Sequence, residues 1–107
     1  MDQVTLVDEQ KKDGLKLAER LAQQGFEVTA AFWLRTSEDG QWFLYFASPV
    51  VDSEGKREAY RRVLPVIRQM PQPFWVDPFE VVVRNADGYV LTFFFEQFPV
   101  WLCWKRR

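Results

Sequence analysis

The sequence predicts an α+β domain in the order αββαββ, with an antiparallel sheet of four or five strands and two helices on one face. Three observations carry that reading. Apolar residues first recur at helical spacing, then switch to a period of two near Val28. Asp-Gly pairs at 39–40 and 87–88 sit where hairpin loops belong. Pro49, Pro71, Pro73 and Pro99 punctuate the chain between these stretches.

The first element opens at Thr5-Leu6-Val7-Asp8, a capping-box pattern. Leu15, Ala18, Leu21 and Ala22 form its apolar stripe, and Gly25 supplies a left-handed end. Gly14 weakens the first half, which places a firm start nearer Asp13. From Val28 the strand alternation sets Val28, Ala30, Phe32 and Leu34 against Thr29, Ala31, Trp33 and Arg35. A loop over 36–40 turns the chain into a second strand over 42–48. Its faces are Trp42, Leu44, Phe46 and Phe43, Tyr45, Ala47, and Pro49 stops it.

Asp52-Ser53-Glu54-Gly55 reads as a loop with a possible N-cap for a second helix over 56–69, with Ala59, Tyr60, Val63, Leu64 and Ile67 on its inner side. Pro65 predicts a kink or an early end there. Residues 74–78 read as an extended connection. Strands are expected over 79–84 and 89–96, joined at Asn85-Ala86-Asp87-Gly88. Residues 100–104 either add a fifth strand or fold back over the sheet. A doubled αββ unit would explain the 48-residue spacing of the Asp-Gly pairs; the alternative is that Asp-Gly is simply a common hairpin signal.

Length fits one domain spanning all 107 residues. The composition, 48% apolar and 27% charged, is globular. Ten Phe, five Trp and three Tyr exceed what one small core absorbs, so some are expected to face a partner. The net charge of −1 argues against general affinity for nucleic acid or anionic lipid. No histidine occurs, which removes the commonest general base and, with a single cysteine, any ordinary zinc set or Ser-His-Asp or Cys-His machinery. The scattered carboxylates make no calcium loop, and no Gly-rich phosphate loop is present. No catalytic residue, cofactor or metal is expected. Cys103 allows no intrachain disulfide and reads as an inert buried thiol. With no leader-like start at Met1-Asp2-Gln3 and no membrane-length apolar run, a cytoplasmic protein is expected. The Trp101–Arg107 segment reads as core aromatics with a solvated terminus rather than a membrane anchor.

The strand over 42–48 and the one expected over 89–96 are apolar on both faces, whereas two helices cover one face only. Residues 100–104, a second copy of the chain, or a ligand must cover the other. A homodimer packed sheet to sheet, about 10 Å apart, would place Trp33, Phe43 or Tyr45 near its centre. Arg57, Arg61 and Arg62 on the second helix suit a phosphate or carboxylate, although a solvated helix face is the simpler reading. Function is thus read as a non-enzymatic protein-interaction or assembly module. The alternative is a small-ligand or nucleic-acid binder using the aromatic sheet face and Arg57, Arg61 and Arg62, with nucleic acid disfavoured because no RNA-recognition segment occurs.

The run Ala30-Ala31-Phe32-Trp33-Leu34, Trp42, Ala47-Ser48-Pro49-Val50-Val51-Asp52, Gly55 and Ala59-Tyr60-Arg61 resembles that of a group of short bacterial proteins. The resemblance covers roughly residues 14 to 68. It implies a bacterial origin and carries no activity or ligand with it. Ser48 and Asp52 lie at the strand end, where binding loops often sit, and join Trp33 as candidate site residues.

Overall fold

A computed structural model describes residues 6–35, 41–86 and 88–105. The elements are α1 (Asp8–Gln23), β1 (Ala30–Arg35), β2 (Trp42–Ala47), α2 (Val50–Glu54), α3 (Lys56–Gln69), β3 (Val81–Arg84), α4 (Gly88–Gln97) and β4 (Val100–Lys105). A single 3₁₀ turn, Pro78–Glu80, precedes β3. The fold is α+β, as predicted, but the element order and the sheet differ from the expectation. The four strands lie in the order β3-β2-β1-β4. β1 pairs antiparallel with both β2 and β4, whereas β2 and β3 run parallel, so the sheet is mixed. The parallel pair follows from the α2–α3 crossover: a chain that returns through a helix re-enters the sheet in the same direction.

α1 extends through Gly14, earlier than its glycine suggested. Its buried side is Asp13, Gly14, Leu17, Ala18 and Leu21, while Leu15 and Ala22 face outward. The stripe is therefore rotated from the one the apolar residues alone predict. Trp33 causes the rotation. A Cβ on Gly14 would stand 2.9 Å from the indole Nε1 of Trp33, so only glycine lets the helix lie this close to the sheet. The helix ends as predicted at Gly25, whose φ is +87°. The amide of Phe26 donates to Leu21 O and that of Gly25 to Ala22 O, the paired bonds of a Schellman ending. Thr5 of the expected capping box and the loop over 36–40 lie outside the described residues.

Pro65 interrupts neither α3 nor its buried side of Ala59, Val63, Val66 and Ile67. Pro65 is exposed, so the Arg61 carbonyl that loses its amide partner opens to water rather than to the core. Tyr60 is tied to the sheet's end strand: its hydroxyl accepts from the Val83 amide at 2.9 Å. An otherwise open edge amide of β3 is thereby satisfied.

The largest correction falls on residues 88–97, which form helix α4 and not a strand. Aromatic and β-branched types favour a strand, but an all-apolar run fits a period of 3.6 as well as a period of two. Leu91 and Phe98, with Phe95 between them, follow the spacing of a helical stripe. Leu91 and Phe98 pack against Phe32, Leu34, Ala30 and Ala47 on the sheet's second face, and the ring of Phe95 meets that of Phe32 edge-on at 5.0 Å. The chain thus covers its own second face. Residues 100–105 form β4 in the plane of the sheet instead of folding over it. The second half runs strand–helix–strand where the first runs strand–strand, so the element order does not repeat. Asp87 lies outside the described residues.

The main core lies between the first face of the sheet and helices α1 and α3. Trp33, Leu44, Phe46, Val81 and Val83 meet Leu17, Leu21, Ala59 and Val63 there. The two-faced alternation read for β1 and β2 holds across their register, from Ala30↔Ala47 to Arg35↔Trp42; Val28, read on the face of Ala30, Phe32 and Leu34, precedes β1 and packs in the main core instead.

Candidate functional site

β4 is an end strand: β1 pairs with one of its edges and no described strand pairs with the other. It carries Val100, Trp101, Leu102, Cys103 and Trp104 in succession, with no charge among them. Trp101 stands opposite Trp33 on the helix side of the sheet and is 46% exposed. Leu102 stands opposite Phe32 on the α4 side and is 49% exposed. An open strand edge therefore bears large apolar side chains on both faces. Lys11 from α1 holds its ammonium 3.9 Å from the centroid of the Trp101 ring and fixes that ring at the rim.

Helix α4 extends the apolar surface. Phe95 and Leu102 both adjoin Phe32, and Phe95 and Phe93 remain 39% and 54% exposed. Phe93 packs edge-on against Phe98, just before β4 begins. Phe93, Phe95 and Leu102 thus leave apolar surface exposed on the α4 side of the sheet, and Trp101 on the helix side.

Cys103 sits at an irregularity in β4. Ala31 pairs with Trp104 and Phe32 with Leu102, so Cys103 is the extra residue of a bulge. Its thiol donates to Ala31 O at 3.2 Å, and burial pushes its pKa up to about 12. Such a thiol is protonated at neutral pH and unreactive.

The residues singled out from sequence are dispersed. Trp33 has no exposed surface; it is the centre of the core beneath α1, and its indole N–H has no partner among the described residues. It offers nothing to a binding partner. Phe43 and Tyr45 lie on the sheet's second face, half-buried, and the Tyr45 ring stacks on Phe32 at 5.5 Å. With α4 on that face, the expected sheet-to-sheet packing has no bare face to use. Burial pushes the Tyr45 hydroxyl upward, partly offset by the positive charge of Arg84. Ser48 is a structural tie: its hydroxyl donates to Glu27 O at 2.5 Å and accepts from the Val50 amide at 3.1 Å. Asp52 is exposed in the first turn of α2. Arg57 and Arg61 are exposed, with Arg61 paired to Glu58 at 3.6 Å. Arg62 points elsewhere, to Glu54 at 3.2 Å and toward the Phe26 ring. These three arginines do not converge.

Among the described residues, no three of His, Cys, Asp and Glu gather as a metal site, and no helix is long and apolar enough to cross a membrane. A broad open groove of about 760 Å³ runs between the end of α3 and residues 72–80, with Arg68, Trp75 and Glu80 on its walls. Burial raises the Glu80 carboxyl above the usual range. No protein-family model, curated protein or solved structure matches this chain.

Trp101, Leu102, Phe93 and Phe95 were not singled out from sequence as site residues. The signal was present in the excess of aromatics and in the charge-free 100–104 run. What was hidden was that 100–104 forms an outermost strand, a property of topology that no local pattern encodes.

Proposed function

We propose that this protein is a non-enzymatic assembly module whose partner is a second copy of itself, joined through the outer edge of β4. The observation that carries this reading is an open end strand, without charge from Val100 to Trp104, flanked on its two faces by exposed Trp101 and Leu102. Natural sheets normally blunt such edges with charges, proline or cover. Two β4 strands related by a two-fold axis run antiparallel by symmetry, so one edge is complementary to its own copy. The pairing would join two four-stranded sheets into one of eight. Phe93 and Phe95, reached across Phe32, would add apolar area toward the roughly 1,200 Å² of a stable interface.

Size-exclusion chromatography with light scattering tests this reading. The expected mass is twice the 12.8 kDa of the chain. A charge on the edge, Trp101→Lys or Leu102→Lys, is expected to return the monomer with its circular dichroism intact. A wild-type monomer at every concentration, or a dimer that both substitutions leave in place, would refute it.

A further inference from the structure

The outer edge of β4 is short and bounded at both ends. Arg35 N donates to Pro99 O at 3.1 Å, just before β4 begins. Hydrogen-bonded and non-hydrogen-bonded residue pairs alternate along an antiparallel ladder. Trp33↔Trp101 is therefore the next hydrogen-bonded pair, and Leu34↔Val100 and Phe32↔Leu102 are non-hydrogen-bonded pairs. Val100 and Leu102 thus turn their N–H and C=O groups away from β1, to the edge that no described strand occupies. Trp101 turns its own inward. Two features end this run. Pro99 has no N–H, and its carbonyl turns to Arg35. The bulge at Cys103 changes the phase beyond Leu102.

These bounds select one register for a second copy of the strand. An axis through Trp101 sets Val100 opposite Leu102 of the second copy, and Leu102 opposite its Val100. Every outward N–H and C=O of the run then finds a partner. An axis through Leu102 would set Val100 against Trp104, beyond the bulge. An axis through Val100 would set Leu102 against Phe98, beyond the proline that interrupts the ladder. An axis between two residues would set an outward residue against an inward one.

We infer that two copies of this chain join with the two-fold axis through Trp101, so that Trp101 meets its own copy on the helix side and Val100 meets Leu102 on the α4 side. The inference rests on the edge assembly proposed above and fixes which residues meet. Trp101 stands at a non-hydrogen-bonded position across the new junction, where Cα atoms approach to about 4.5 Å and side chains lie closest. Aromatic pairs are favoured at such positions. The exposed part of each Trp101 ring is thereby directed to its copy, while Lys11 of its own chain holds it at the rim.

Cysteine cross-linking of the full chain tests the register. Val100→Cys, Trp101→Cys and Leu102→Cys are made in a Cys103→Ala background and oxidised with diamide. Trp101→Cys is expected to form a disulfide-linked dimer, because its Cα separation falls in the range a disulfide spans. Val100→Cys and Leu102→Cys are each expected to stay unlinked alone, since like positions then stand about 8 Å apart, two residues along and one strand across. Mixed together, those two are expected to link to each other. A non-covalent measurement keeps the test independent of the lost indole. Trp101→Lys and Trp101→Glu, each monomeric alone, are expected to form a mixed dimer in light scattering, because opposite charges then stand directly across the axis. The pair Leu102→Lys and Leu102→Glu is not expected to do so. A wild-type chain that stays monomeric would remove edge assembly and this register with it. A wild-type dimer that links through Val100→Cys or Leu102→Cys alone, that links at none of these positions, or whose Trp101 charge pair fails to associate would overturn the axis through Trp101 and leave edge assembly standing.

Discussion

Gly14 shows how one side chain sets the geometry of a whole layer. In a helix interior, glycine costs about 1 kcal/mol relative to alanine, so Gly14→Ala would stabilise an isolated α1. In this protein the added methyl meets a rigid, fully buried indole. We expect Gly14→Ala to lower stability by about 1–3 kcal/mol, as overpacking does, measured by urea denaturation. Asp13, one residue earlier, fastens residues 72–77 to α1: its carboxylate accepts from the Trp75 amide at 2.7 Å. Asp13→Ala is expected to cost about 1–3 kcal/mol and to speed hydrogen exchange at the Trp75 amide. Cys103 makes a pH prediction. Its thiol titrates near 9.0 when exposed and at about 12 in the folded chain. The unfolded chain therefore loses this proton first. Its contribution to stability is complete below pH 9 and declines as pH rises toward 12. Cys103→Ala is expected to flatten that alkaline decline in the melting temperature. A thiol reagent is expected to label native Cys103 slowly at neutral pH and rapidly in urea.

At the scale of elements, local signals located most boundaries. α3, β1 and β2 lie where periodicity and proline placed them, and Gly25 ends α1 with the geometry its position required. The misreading of 88–97 has a definite physical cause. Tyr89 to Phe95 is apolar almost throughout, so no polar residues mark which period it obeys. Its state is decided by what the sheet's second face lacks, which is a cover. β2, apolar on both faces, exposed the problem but gave no hint that 88–97 solved it. The cover is partial, however. Phe32 is fully buried, while Phe95 above it is 39% exposed. Phe32→Ala is thus expected to cost about 3–5 kcal/mol. Phe95→Ala is expected to cost clearly less, because part of its ring is already in water. Equal costs in denaturant titrations would mean that α4 is sealed more tightly than its exposure indicates.

For the whole molecule, the aromatic surplus is the thread from composition to assembly. The sequence called for a partner, and its double-faced strands pointed to the sheet's face as the meeting place. The fold covers that face with α4 and leaves Trp101 and Leu102 exposed at the sheet's edge, where the proposed contact is placed. Trp33, one of the three residues expected near the interface centre, went to the core, and Trp101 and Leu102 took the surface. Had 89–96 been recognised as helix, β4 would have remained the natural fourth strand and its edge the exposed feature. The candidate site was therefore legible as residue types and illegible as position. The most direct test of edge-to-edge assembly is hydrogen exchange of the β4 amides between about 1 and about 200 μM protein. The outward-pointing amides of residues 100–105 are expected to exchange freely in dilute solution and to gain protection as concentration rises, while amides bonded to β1 stay protected throughout. Outward-pointing amides that exchange at one rate across the whole range would contradict assembly through β4.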